Sequence, residues 1–235
     1  VRAASDALKT AGTRFDIVIG NAGVMATPRM KTADGFEMQF GTNHLGHFTF
    51  INRIAPLIND GGRVVMLSSA GHRFSDVNLD DPNFETTEYT PFGAYGRSKT
   101  ANVLFAVEFD RRHKERGVRA TAVHPGGIQT ELSRHMTEEA LNELIKSMES
   151  RRSASGESGF QYKSIPQGAA TSVWAAAVAD ANAVGGRYCE NCHVTTLVTD
   201  EPFDASSEGV RPYALDLANA AELWTKSEQM VGETF

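Results

Sequence analysis

The chain has 235 residues, 41% hydrophobic and 22% charged, the make-up of one soluble α/β domain with length enough for a core. Its formal net charge is −6, and no basic tract or stripe marks a nucleic-acid footprint. No apolar run approaches the roughly 20 residues that span a bilayer, and the N-terminal VRAASD lacks the apolar core of a signal peptide; no membrane segment in this chain and a cytoplasmic location are the expectations.

Helix and strand patterns alternate along the chain, as in a parallel sheet covered by helices. Residues 1–12 read as the end of a helix closed by Gly12. Phe15–Gly20 is a short apolar strand running into Asn21-Ala22-Gly23. A polar loop follows, then a helical stretch from Phe36 to Ile58. Asp60-Gly61-Gly62 is a turn and Arg63–Ser68 a buried strand. Residues 71–93, rich in Asp, Asn, Pro and Thr, form a long loop-like insertion. Residues 94–116 form a helix with apolar positions at Ala101, Leu104, Phe105 and Val107, closed by Gly117. Val118–Val123 is the next strand and ends at His124-Pro125-Gly126. Residues 131–165 are mixed in character, polar from Glu149 to Tyr162. Within them Leu141, Leu144, Ile145 and Met148 fall at helical spacing and make one apolar stripe, with Leu132 and Met136 just before it. Pro166–Ala179 is a helix, and Gly185–Tyr188 leads into a last short strand. No linker or repeat divides the chain, so residues 1–235 read as a single domain.

Tyr95-Gly-Arg-Ser-Lys99 places a phenol and an ammonium one helical turn apart on one face. An ammonium beside a phenol favours phenolate and lowers the tyrosine pKa from its free value near 10. A tyrosine so shifted can exchange a proton with an alcohol near neutral pH. The bland reading is a half-buried aromatic beside a surface lysine. Ser68 and Ser69 end a strand, and either hydroxyl could serve a site there or simply bond nearby backbone. Asn43 sits within an apolar helical stretch, where it is a poor helix former; a helix-end cap is the alternative. Cys189-Glu-Asn-Cys192 lacks the further ligands of a zinc site and the fold of a redox motif, so it reads as two unrelated thiols. His44, His47, His72 and His124 match no metal-ligand spacing and are taken as structural or surface residues; no metal is expected.

Taken together, Gly20-Asn-Ala-Gly23, Thr42-Asn-His-Leu-Gly46, Ser68-Ser69, Tyr95-x-x-x-Lys99 and Pro125-Gly-Gly127 resemble the short-chain dehydrogenase/reductase family. The stretch NLDDPNF…YTPFGAYGRSKTANVLFAVEF, from Asn78 to Phe109, followed by AVHPGGIQTEL, is most similar to the retinol-dehydrogenase-like and WW-domain-oxidoreductase-like branch. The similarity runs from Phe15 to Gly232.

The resemblance implies a Rossmann-type doubly wound parallel sheet and an NAD(P)-dependent oxidoreductase interconverting an alcohol and a carbonyl. It makes Tyr95 the general acid/base, and has Lys99 lower its pKa and bond the nicotinamide ribose. It makes Ser69, ahead of Ser68, the residue that holds the substrate oxygen, and Asn43 part of a water relay from Lys99. It places Asn21, Ala22 and Gly23 near the adenosine side of the cofactor, with Gly20 standing where relatives more often carry a second asparagine. It places Pro125 and Gly126 beside the nicotinamide, the Ile128 backbone near the carboxamide, and Thr130 near carboxamide or pyrophosphate. The cofactor is NADP or NAD, with NADP favoured, and the substrate a small apolar alcohol, aldehyde or ketone. Relatives imply a homodimer or tetramer through the helices of Asn43 and Tyr95.

The Gly-rich fingerprint T-G-x-x-x-G-x-G that binds pyrophosphate at a helix N-terminus is not in this sequence. Counting strands, the chain begins just before the fourth, so an N-terminally truncated sequence without strands 1–3 is the expectation. That leaves Asp16–Gly20 at an exposed sheet edge and weak cofactor binding. The alternative function is a catalytically silent fragment or pseudoenzyme acting as a binding module. A sugar-nucleotide epimerase or dehydratase using the same Tyr/Lys pair is disfavoured by Asn21-Ala-Gly23 and the short C-terminal region.

Overall fold

The structure, a computed structural model, describes residues 1–154, 161–199 and 208–235. In chain order, α1 (Arg2–Ala11) precedes β1 (Phe15–Gly20). Next come α2 (Met38–Phe40), a π-helical turn (Gly41–Leu45) and α3 (Gly46–Ile54), then a 3-10 turn (Ala55–Leu57) and β2 (Ile58–Leu67). A 3-10 turn (Ala70–Phe74) leads through irregular chain to α4 (Pro91–His113) and β3 (Arg119–His124). After them lie α5 (Glu138–Ala154), α6 (Ile165–Val173) with a π-helical end (Trp174–Val178), and α7 (Ala181–Val184). The hairpin β4 (Tyr188–Glu190) and β5 (His193–Val194) and the helix α8 (Leu217–Val231) complete the fold.

The strands form one sheet in the order β1-β2-β3-β4-β5. The first four are parallel and β5 runs antiparallel to β4. Side chains alternate across β2, as strand geometry requires. Val64 and Met66 face a core with Phe48 and Ile51 of α3, Val103, Phe105 and Phe109 of α4, and Trp224 of α8. Val65 and Leu67 face the opposite core, with Val123, Ala175, Ala176, Val184 and Cys189. Helices therefore cover both faces, which is why β2 and β3 read as continuous apolar runs rather than alternating ones. β1 is the sheet edge, and its Ile17 and Ile19 are each 43% exposed. Among the described residues no helix is long and apolar enough to cross a membrane.

The local signals explain most boundaries. Gly12 adopts the left-handed conformation, with φ 66°, and ends α1. Thr90 accepts from Gly93 N, and Pro91 opens α4, so this helix starts three residues ahead of the expected 94. Asp60-Gly61-Gly62 is not a free turn: β2 already pairs at Ile58, and the register shifts between Phe15 and Ile17. The two glycines form a bulge within the strand, with Gly61 at φ 79°. The expected helix to Ile58 gives way at Ala55-Pro56-Leu57. α8 has no counterpart among the sequence expectations, although Asp216 caps it through Ala218 N and Asn219 N and Gly232 closes it in the left-handed region. Leu141, Leu144 and Ile145 are half-buried on α5, while the side chain of Met148 lies outside the described residues. The turn Asn191-Cys192 joins β4 to β5 with both φ values positive, and both cysteines are free thiols.

Candidate active site

Parallel pairing brings the carboxyl ends of β1, β2 and β3 to one edge of the sheet, where ligands bind in open α/β folds. Asn21-Ala22-Gly23 follow β1, Ser68-Ser69 follow β2, and Pro125-Gly126 follow β3. Against these ends α4 presents Tyr95 and Lys99, both 4% exposed.

Lys99 Nζ donates to the Leu67 carbonyl at 3.1 Å, a bond that also holds the lysine against the end of β2. A Cβ on Gly23 would stand 3.7 Å from Nζ and 3.1 Å from Asn43 Oδ1, so the loop after β1 approaches both closely. Asn43, on the π-helical turn, clasps Val24: its Oδ1 accepts from Val24 N at 2.8 Å and its Nδ2 donates to Val24 O at 2.9 Å. The same Nδ2 donates to Ser98 Oγ at 2.9 Å, and Ser98 Oγ donates to Tyr95 O. A π-bulge inserts one residue into a helix and often marks a working site; here it turns a fully buried Asn43 toward α4 rather than capping a helix end.

The two serines differ. Ser68 Oγ donates to the Lys99 carbonyl at 2.8 Å and is buried. The Ser69 side chain faces the Tyr95 phenol closely enough to pull its pKa down against burial, and its Oγ accepts from Gly71 N at 3.0 Å. Gly71 passes so near that a Cβ there would be 2.8 Å from the Tyr95 ring. Asn43, Ser69, Tyr95 and Lys99 are thus one connected cluster.

One electrostatic expectation is corrected. Tyr95 is not lowered by Lys99: burial pushes its pKa up to about 12, opposed by the Ser69 side chain. Burial also lowers Lys99 to about 8. The ammonium sits 5.5 Å from the Tyr95 ring centroid and is anchored at Leu67 O. Desolvation of the phenolate therefore outweighs the field of a lysine that is itself driven toward neutrality.

At the end of β3, burial and the fields of Arg73, His72, Lys163 and Lys99 hold His124 down at about 3. Lys163 crosses the following loop, with its backbone N on Gly127 O at 2.8 Å and Nζ within 3.3 Å of Pro125 O. Gly126, at φ 95°, leaves no room for a Cβ beside the Lys163 side chain. Ile128 bridges Lys163, and a Cβ on Gly168 would stand 2.5 Å from its Cγ1. Thr130 Oγ1 accepts from Leu132 N, and its side chain is exposed, as are Asn21 and Ala22.

Of the four histidines singled out, His44 and His72 are interior while His47 and His124 are half-buried. His44 and His72 are buried and pushed down to about 3 by desolvation, and His47 bonds Asn43 O at 2.8 Å. Among the described residues no group of three or more His, Cys, Asp or Glu could hold a metal ion. Ser98 and Asn102 join the cluster without having been singled out in the sequence. Asn102 Nδ2 donates to Leu67 O at 3.0 Å, sharing that acceptor with Lys99. Their positions three and seven residues beyond Tyr95, on its helix face, are the signal that marks them.

Residues 1–158 match the family model described as enoyl-(acyl carrier protein) reductase. The chain is 37% identical over 235 residues to oxidoreductase calI of Penicillium decumbens, covering 96% of this chain and 66% of that one. It is 37% identical over 221 residues to human retinol dehydrogenase 14, covering 93% and 59%. The chain thus spans less than two thirds of the length of these curated relatives. A crystal structure of an uncharacterised protein from Mycobacterium paratuberculosis superposes with TM-score 0.69 and 31% identity, over 98% of this chain and 73% of that one. A short-chain dehydrogenase from Burkholderia cenocepacia J2315 in complex with NADP shares the fold, with TM-score 0.59 at 20% identity over 80% of this chain and 69% of that one. By its sheet, its motifs and these relatives, the chain belongs to the short-chain dehydrogenase/reductase family, on the retinol-dehydrogenase-like branch.

Proposed function

We propose that this chain carries the acid–base half of an NAD(P)-dependent oxidoreductase that interconverts an alcohol and a carbonyl. The observation that carries the reading is the Ser69–Tyr95 hydroxyl pair beside a buried Lys99. Among the described residues the Lys99 ammonium has one hydrogen-bond acceptor, Leu67 O, for its three N–H groups. Its spare donors fit the hydroxyls of a ribose, and the glycine at 23 keeps that approach open.

Asn21, Ala22, Gly23, Pro125, Gly126, the Ile128 backbone and Thr130 would line the dinucleotide along the carboxyl ends of the strands. NADP is favoured over NAD, supported by the NADP bound to the Burkholderia neighbour. The bound nicotinamide supplies or accepts hydride. Ser69 holds the substrate oxygen against Tyr95, which gives its proton to a forming alkoxide or takes one from an alcohol. Asn43 and Lys99 return that proton toward solvent. The half-buried Leu141, Leu144 and Ile145 of α5 support an apolar alcohol, aldehyde or ketone.

Titration of the purified chain with NADPH and NADH, followed through Trp174 and Trp224 fluorescence, tests the reading. Weak but saturable binding, with slow turnover of apolar alcohols or ketones, is the expected result, because β1 stands as an exposed sheet edge beside the crevice. Folded protein that binds neither nucleotide would overturn cofactor use by this chain alone.

A further inference from the structure

The turn after Ser69 holds a histidine whose two ring nitrogens are both bonded. His72 Nδ1 lies 2.7 Å from Ser69 O and Nε2 lies 3.3 Å from Arg211 N. These partners decide where the proton sits. A peptide N–H only donates, so Nε2 is the bare acceptor; a carbonyl only accepts, so Nδ1 carries the hydrogen. The ring is wholly buried and packs 4.7 Å from the Tyr188 ring. Desolvation keeps it neutral, as this arrangement demands.

The turn is also gripped from outside. The His72 carbonyl accepts from Tyr213 Oη at 2.8 Å and from Thr100 Oγ1 of α4 at 2.9 Å. Arg73 donates to Gly209 O through Nε and Nη2, at 2.9 and 2.6 Å. It also pairs with Glu190 at 3.1 Å, and Glu190 in turn accepts from Gly209 N. Residues 209–213, distant in sequence, are therefore fastened to the turn that carries Ser69.

We infer that His72 is a positioning residue: as the neutral, Nδ1-protonated tautomer it fixes the Ser69 main chain so that the serine hydroxyl meets Tyr95, and it ties segment 209–213 to that geometry. This rests on the reading of Ser69 and Tyr95 given above. A histidine that merely filled the core would support stability without affecting the chemical step. One that orients Ser69 acts on kcat, because small displacements of a positioned group cost rate steeply.

Two measurements on the full chain test it. In the unaltered protein, nitrogen NMR of ring-labelled histidine is expected to show His72 protonated at Nδ1 and bare at Nε2. In kinetics, His72→Phe keeps the stacking ring but loses both bonds, and is expected to lower kcat about tenfold or more with the cofactor KM unchanged. His72→Asn places an amide nitrogen where Nδ1 stood and is expected to recover most of that loss. A proton on Nε2 overturns the inference, as does a Phe variant as active as the parent or an Asn variant no better than Phe. Should both variants unfold, the tautomer decides. Should the parent bind cofactor yet turn nothing over, the functional reading fails, and the tautomer still reports on the bond to Ser69.

Discussion

Asn43 Nδ2 donates to Ser98 Oγ at 2.9 Å, stitching the π-helical turn to α4 between Tyr95 and Lys99. Both groups are fully buried, so neither has water to fall back on. Ser98→Ala removes a partner from a buried amide, and a loss of about 1–3 kcal/mol in unfolding free energy is expected. Urea denaturation measures it. A change within error would mean that Asn43 rearranges onto Val24 alone.

Tyr95→Phe removes only the hydroxyl that meets Ser69. The aromatic ring still packs beside Gly71, so the fold and the cofactor titration are expected to stay as in the parent. Turnover is expected to fall by about 10²–10⁴, read as kcat on whichever apolar alcohol or ketone the parent accepts. A Phe variant with parental kcat would remove Tyr95 from the chemistry.

A Tyr95 pKa of about 12 has a direction in pH. The phenol keeps its proton at neutral pH, so carbonyl reduction is expected to be flat from about pH 6 to 8, while alcohol oxidation climbs as the solution becomes more basic. Initial rates in both directions across that range check this. Oxidation that falls with rising pH would place the base elsewhere.

Acid should weaken the fold through the interior imidazoles. His44 and His72 are pushed down to about 3 by burial, below their free value near 6.5. Between those values the unfolded chain binds protons that the folded one refuses, so stability is full above about pH 6.5 and falls as pH drops toward 3. The expected slope is about 1.4 kcal/mol per pH unit for each such site. Denaturant midpoints between pH 7 and 4 measure it, and a flat profile would mean these rings accept protons in place.

The insertion after the 3-10 turn is organised by one carboxylate. Asp81 accepts from the backbone of Glu85, Thr86 and Thr87 and from both threonine hydroxyls, which lowers its pKa. Asp81→Ala is expected to open residues 81–90 while leaving the sheet intact. Faster amide exchange at Thr86 and Thr87, with unchanged exchange in β2 and β3, is the result to look for.

Strand Phe15–Gly20, the helix through Tyr95 and the strand ending at His124 are legible because their signals are local: apolar runs, Gly117 as a cap, period and spacing; the Thr90 cap lies inside the stretch that reads as loop. The bulge at Gly61-Gly62 is not legible, since a Gly-Gly pair reads as a turn until the register of β1 against β2 is known. α8 carries its end signals in Asp216 and Gly232, but its buried face, Ala220 and Leu223, shows only where it packs against Ala101 and Leu104 of α4.

By itself the sequence determined the family, the order of most elements and the residues around which a site could form, because cap chemistry, periodicity and a Tyr-x-x-x-Lys spacing all act within a few residues. Only the tertiary structure decided that Ser68 turns to Lys99 O while Ser69 turns to Tyr95, that Lys99 and Asn102 share the Leu67 carbonyl, and that Tyr95 is raised rather than lowered. Each depends on which carbonyl or hydroxyl a distant segment delivers, and on how completely the assembled core shuts water away from a charge.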